Sequence, residues 1–369
     1  MIDSRPRIAS SPQPDRLASS TPTGGSQPND RRSSSAGCGT NPNLGPRILS
    51  FAEAGAAGEP KCGRLTSWIG TPELRSLVHA VDLFVPQFYE GRLPERFEED
   101  VPISDHRSYV SVCEDLDALG RPYMVGVGAY GQALLFDASG RRVGVYRGLS
   151  IADAFRHPAL RVESLRTVAG ERHVRFRALR ADSQGRGKGF GILYRIPTAE
   201  SLQEALKEVN GGRSVNFRGV ALFRLPEEGE TSTLPIVTLA AVFRAQRPSA
   251  DVEIDGATSS NPFALIEGGA KEVPTSVSVA VRNVGKAPHL SSVPITVEVR
   301  YRVGCGEFVA VDRADRVDPI SEEGNGAAVS MSRSAGVRFE RWHLAPGQRV
   351  ALGSVRLREG CQASISELR

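Results

Sequence analysis

From about residue 64 onward, apolar and polar residues alternate between two periods, one near two residues and one near three and a half. Leu65–Ile69 is a short apolar run of strand length, and Thr71-Pro72-Glu73 follows it as an N-cap, a first-turn proline and an acidic first turn. Leu74, Leu77, Val78 and Val81 then recur at helical spacing. Leu83–Tyr89 predicts the next strand. After a polar loop at 90–105, Tyr109, Val112, Cys113, Leu116 and Leu119 mark one face of a helix that Gly120 and Pro122 end. Tyr123–Tyr130 is an apolar run with small residues, which suits a strand buried on both faces. Gly191–Ile196 and Gly219–Leu225 read as two further strands. Between them lies a helical stripe of Leu202, Ala205, Leu206 and Val209, and Leu234–Phe243 reads as the closing helix.

Residues 131–182 interrupt this strand–helix rhythm. Gln132–Phe136, the Asp137-Ala138-Ser139-Gly140 turn and Arg142–Tyr146 form a hairpin pattern, and Leu160–Leu165 with His173–Leu179 forms a second. Residues 247–274 are rich in Ser, Gly, Pro and Asp, and beyond them only strand-like runs occur: Val277–Arg282, Ile295–Val303, Phe308–Val311, Val337–Trp342 and Val350–Leu357. The expected fold is α/β. A partial, open TIM-like β/α barrel with an antiparallel insertion spans 64–247, a linker spans 248–274, and a small immunoglobulin-like β-sandwich spans 275–369. Five parallel strands are too few to close an eight-stranded barrel, so an open edge at the Leu65 strand and a homo-oligomer formed through it are expected.

Composition changes the picture mainly at the N-terminus. Residues 1–50 hold ten Ser, seven Pro, five Gly and no aromatic residue, so they are expected to be a disordered tail. The tail also carries six Arg against three Asp, which accounts for +3 of the chain's net +4. The remainder is close to neutral, which argues against specific nucleic-acid binding. Neither a secretory signal nor an apolar run long enough to span a membrane is visible.

Candidate chemistry is sparse. Gly126-Val-Gly-Ala-Tyr-Gly131 matches G-x-G-x-x-G, but a hairpin rather than a helix should follow, so the glycines are read as packing residues. Gly185-Arg-Gly-Lys188-Gly189 lacks both the spacing and the Ser or Thr of a phosphate-binding loop. Residues 141–188 carry twelve Arg or Lys against four acids, a local +8, read as a solvated face. The six His show no metal-ligand spacing and no G-x-S-x-G elbow is present, so neither a metal nor a cofactor is expected. Cys305 and Cys361 pair if the compartment is oxidising and otherwise stay free.

The strand ends carry the strongest signal, because chemistry in β/α barrels gathers at the carboxyl ends of strands. Trp68, Gln87, Tyr89, Tyr130, Arg195 and Arg224 stand there as candidate ligand-binding residues, and Glu227 and Glu228 as candidate catalytic carboxylates. Rings that stack, with amide, guanidinium and carboxylate groups beside them, suit a sugar-like ligand.

Several of these segments resemble a bacterial domain family of unknown function, DUF3142. They are Leu65-Thr-Ser-Trp68, Ala80-Val-Asp82-Leu-Phe-Val-Pro-Gln87, Gly126-Val-Gly-Ala-Tyr130-Gly131 and Arg218-Gly219-Val-Ala-Leu-Phe223-Arg224-Leu-Pro226, with Asn283-Val-Gly285 downstream. The resemblance covers about residues 64–300. It implies a barrel related in shape to glycoside hydrolases, lacking here its N-terminal half, in a protein usually exported or periplasmic. A glycosidase needs two carboxylates about 5–10 Å apart, and a second one is missing from the best strand ends. The expected function is therefore a non-catalytic carbohydrate or cell-envelope binding module. A glycoside hydrolase-like enzyme and a truncated structural remnant are the alternatives.

Overall fold

The computed structural model describes residues 48–52, 72–87, 92–104, 109–180, 187–212, 214–260, 275–321 and 333–368. Ile48–Ala52 (β1), Pro72–His79 (α1), Leu83–Gln87 (β2), Tyr109–Asp117 (α2) and Tyr123–Gly128 (β3) open the fold. Ala199–Gly211 (α4), Phe217–Phe223 (β9) and Ile236–Phe243 (α5) complete the same unit much later in the chain. The four strands form one parallel sheet in the order β1-β2-β3-β9. Val78, Cys113, Leu116, Val125, Val127, Leu202, Ala205 and Val242 share one core cluster, so the helices cover a common face of the sheet. Helix α4 starts on a capping box, in which Thr198 Oγ1 accepts from Ser201 N–H while Ser201 Oγ accepts from Thr198 N–H.

The strand beside Leu83–Gln87 is Ile48–Ala52, which begins in the last three residues of the segment expected to lack structure. Leu65–Ile69, expected in that place, lies outside the described residues. The described strands form no closed barrel.

Between β3 and α4 the chain builds a second sheet. Gln132–Phe136 (β4), Arg142–Arg147 (β5), the short helix Ile151–Arg156 (α3), Leu160–Val168 (β6), Glu171–Ala178 (β7) and Gly191–Ile196 (β8) follow in order. The five strands pair antiparallel in the order β5-β4-β8-β7-β6, and both predicted hairpins are present. Gly191–Ile196 is therefore not a barrel strand, as its apolar run suggested. A parallel neighbour needs a crossover of a dozen or more residues, usually a helix, and no helix lies among the described residues between β7 and β8.

Among the described residues the C-terminal part has eight strands. Val252–Ser260 (β10), Thr275–Asn283 (β11), His289–Tyr301 (β12) and Gly306–Val311 (β13) are followed by Arg316–Ile320 (β14), Gly336–Leu344 (β15), Arg349–Leu357 (β16) and Ala363–Leu368 (β17). They make two four-stranded antiparallel sheets, β10-β11-β16-β13 and β14-β15-β12-β17. Val279, Val281, Val297, Val299, Phe339, Leu352 and Val355 from both sheets meet in one core. Cys305 and Cys361 form a disulfide with Cα atoms 5.7 Å apart. Val252–Ser260, assigned to the linker by its polar composition, pairs with β11 along its whole length. An edge strand exposed on one face needs few apolar residues, which is why composition hid it.

The C-terminal sheets pack against the five-stranded sheet. Phe155 of α3 stacks on Trp342 of β15 at 5.5 Å with an interplanar angle of 2°, and Leu290 joins the same cluster as Val174, Phe176 and Tyr194. Asn283, fully buried, ties the chain entry to the strand ends. Its Oδ1 accepts from Asp251 and Gly285 N–H, and its Nδ2 donates to the carbonyls of Ala287 and Leu344. Among the described residues no helix is long and apolar enough to cross a membrane.

Candidate functional site

Parallel pairing brings the carboxyl ends of β1, β2, β3 and β9 to one edge of the molecule, where Ala52 lies opposite Gln87 and Gly128 opposite Phe223. Close backbone approach at this edge explains the glycine motif. A Cβ on Gly126 would lie 2.9 Å from the carbonyl oxygen of Pro86, and one on Gly131 would lie 2.5 Å from that of Ser232 and 2.8 Å from that of Arg195. Those glycines admit neighbouring chain, and β4 rather than a helix follows them.

Arg224 is the centre of the polar cluster. Leaving β9, it donates from Nη1 to Glu227 at 2.8 Å and from Nη2 to Glu230 at 2.7 Å. The two acids differ sharply in setting, because the Glu230 side chain is 4% exposed and that of Glu227 is 81% exposed. Glu230 also accepts from Glu227 N–H, closing the loop on itself. Gly229, with φ of 78°, makes the left-handed turn that sends Glu230 inward. Glu228 stays exposed. The loop after β5 docks here too. Ser150 Oγ lies 3.1 Å from Thr231 Oγ1, and a Cβ on Gly148 would lie 3.7 Å from Arg224 Nη2.

The aromatic residues divide. Tyr130 is 1% exposed, with the Phe223 ring edge-on at 5.4 Å and the Arg147 guanidinium 5.9 Å above it. It supports the site from below instead of offering a face. Phe223, which its place in the apolar pattern marks only as a strand residue, is 40% exposed and carries the accessible ring, with Leu225 exposed beyond Arg224. Gln87 is half-buried at the end of β2. Trp68 and Tyr89 lie outside the described residues.

Arg195 serves another purpose. It is fully buried on β8 and donates from Nη1 to the carbonyls of Val101 at 3.0 Å, Pro102 at 3.1 Å and Arg92 at 3.3 Å, while Nη2 binds Gln132. Arg175 on β7 donates to the Phe97 and Glu99 carbonyls and to Asp100. Buried Glu171 accepts from the N–H groups of Ile103 and Ser104. These groups pin the chain between Arg92 and Ser104 across the five-stranded sheet. His173 lies between the acids, 3.5 Å from Asp100 and 3.8 Å from Glu171. Burial would push Asp100 upward, but the hydrogen bond and charge of Arg175, with His173 beside it, hold its carboxyl below the usual carboxylate range.

The site therefore holds one buried and one exposed carboxylate, both bound to a single guanidinium. Among the described residues no group of three or more His, Cys, Asp or Glu is placed to hold a metal. Glu230 escapes a reading of the sequence because its neighbours Glu227 and Glu228 lie closer to the strand. The signal that finds it is Gly229, which reverses the chain one residue before it.

No family model matches the chain, and no curated protein matches it. Among solved structures, it is similar to a chitinase from Chromobacterium violaceum, with 18% identity and a TM-score of 0.29 over 47% of this chain and 49% of that one. It is also similar to the spore cortex-lytic enzyme SleL of Bacillus cereus, with 16% identity and a TM-score of 0.26 over 41% of this chain and 33% of that one. The chain spans less than half the length of either protein. Likenesses at these scores do not bear on activity.

Proposed function

We propose that the protein is a non-catalytic module that binds a carbohydrate or a cell-envelope polymer, built on a partial barrel of the DUF3142 kind with an immunoglobulin-like sandwich behind it. One observation carries this reading: an accessible ring, Phe223, stands at the carboxyl end of parallel strands beside a guanidinium fixed by buried Glu230 and capped outwardly by exposed Glu227. A flat apolar ring beside fixed polar groups suits a pyranose, whose C–H face stacks while its hydroxyls are hydrogen-bonded. Glu227 and Glu230 share Arg224, an arrangement that favours binding over the separated acid and nucleophile of a glycosidase. The Cys305–Cys361 disulfide supports an oxidising compartment, consistent with a protein that meets envelope polymers.

A glycan array together with pull-down on purified cell-wall polymers tests the reading. The wild-type chain is expected to retain at least one polymer, and Phe223→Ala and Arg224→Ala to weaken it at least about tenfold, a loss of ~1.4 kcal/mol. Absence of binding to every glycan and envelope polymer would sink the proposal. Hydrolysis of a bound glycan that disappears in Glu230→Gln or Glu227→Gln would replace it with the enzyme reading.

A further inference from the structure

We infer that the outer face of α5 is a two-fold interface between copies of this chain. Helix α5, Ile-Val-Thr-Leu-Ala-Ala-Val-Phe, is apolar nearly all round, a composition expected of a helix covered on every side. Among the described residues, one side of it is covered. Thr238, Leu239, Ala241 and Val242 are buried, and Thr238 Oγ1 donates to the Lys286 carbonyl. On the other side Ile236, Val237 and Phe243 are 61%, 44% and 50% exposed. Ile236, Ala240 and Phe243 stand at i, i+4 and i+7, so they form a single stripe with a small residue between two large ones.

The neighbouring surface continues this face. A cleft of about 650 Å³ between α4, β9 and α5 is lined by Leu206, Phe217, Val220 and Phe243, with Lys207 and Arg247 among its walls. Val215 and Leu225, just outside the two ends of β9, are 83% and 62% exposed. Exposed apolar side chains clustered around the α5 stripe are the mark of an interaction surface.

Charge identifies the occupant as a second copy. Because Phe243 and Arg247 share the cleft with Phe217, the last turn of α5 lies beside the start of β9, and its first turn beside the end of β9. Exposed Glu228 therefore sits near the amino end of α5, beside Glu227 already paired with Arg224, and exposed Arg244 and Arg247 sit near its carboxyl end, where Lys207 is paired with Glu204. Two α5 helices related by a two-fold through Ala240 run antiparallel. Each basic end then meets the partner's acidic end, and the stripe's phenylalanine falls beside the isoleucine of the facing copy. The small Ala240 side chains at the axis permit close helix approach.

Sedimentation equilibrium of the full chain, with circular dichroism as a folding control, tests this interface. The wild type is expected to be dimeric at about 50 µM, and Phe243→Glu and Ile236→Glu to weaken the dimer at least about tenfold with unchanged dichroism. Both positions are solvent-exposed in one copy, so folding should not suffer. Under mild oxidation Ala240→Cys should yield a covalent dimer, and peptide mapping should find the two introduced thiols joined to each other. A monomeric wild type would overturn the inference, whether the face is then bare or covered by another partner. So would a dimer that both glutamate variants leave intact and that Ala240→Cys does not cross-link. Glycan binding read on the same variants reports separately on the proposed function.

Discussion

Arg195 and Arg224 each stand at the carboxyl end of a strand, and sequence alone treats them alike. The structure separates them by what lies opposite. Arg195 meets three backbone carbonyls and Gln132 from segments about sixty to a hundred residues away, a distance over which no local pattern reports. Arg195→Met should cost about 3 kcal/mol, because it strands the buried carbonyls of Val101 and Pro102 and the Gln132 amide oxygen. Urea denaturation would measure the loss, and limited proteolysis should place new cleavage between Arg92 and Ser104. At Arg224 the two acids should behave unequally. Glu227→Gln is expected to change stability by under ~1 kcal/mol, as for exposed ion pairs. Glu230→Gln should cost more than twice as much, since a buried guanidinium contact is lost. Equal effects from the two substitutions would contradict the burial difference on which the site rests.

Among the elements, those with a strong period of their own were legible. Both hairpins of the inserted sheet, the strand–helix units around α2 and α4 and five of the C-terminal strands follow the apolar pattern. Elements defined by their neighbours were not. Gly191–Ile196 looks like a buried parallel strand, yet it is buried because the pinned Arg92–Ser104 chain covers one face and α3 with the C-terminal sheets covers the other. Val252–Ser260, Arg316–Ile320 and Ala363–Leu368 are edge strands exposed in part or for most of their length, the first two interrupted by Gly256 and Pro319, and nothing in their composition reveals pairing. Strands β12 and β15 carry a testable acid sensitivity. Burial pushes His343 down to about 3, with Arg341 and His289 adding to it, and burial followed by Arg172 lowers His289 as well. The His343 ring stays neutral in the folded state well below 6.5, near which both rings protonate in the unfolded chain, and His289 is displaced in the same direction. Their contribution is therefore complete above pH 6.5 and is lost as pH falls toward 3. Urea midpoints should drop by the equivalent of about 1–2 kcal/mol between about pH 6.5 and 5. His343→Gln should flatten that slope, and an unchanged slope would show that the ring does not control it.

At the scale of the whole molecule, the two halves are joined through the α3–β15 contact and the hydrogen bond from Thr238 Oγ1 to the Lys286 carbonyl. The Cys305–Cys361 bridge spans 56 residues and closes the four strands β13 to β16 into one loop. Reduction should lower stability by about 4 kcal/mol through the entropy returned to the unfolded chain. A melting temperature unmoved by reductant, with mass spectrometry finding both thiols free beforehand, would show that the bridge does not form in solution. The junction also contains its own optical gauge. The chain has two tryptophans, Trp68 and Trp342, and the indole of the second lies flat against Phe155 where the halves meet. In a Trp68→Phe variant, emission would come from that indole alone, and its colour would follow the wetting of the seam. A red shift preceding the loss of far-ultraviolet dichroism on warming would time the parting of the halves against the melting of their sheets, with no dye attached.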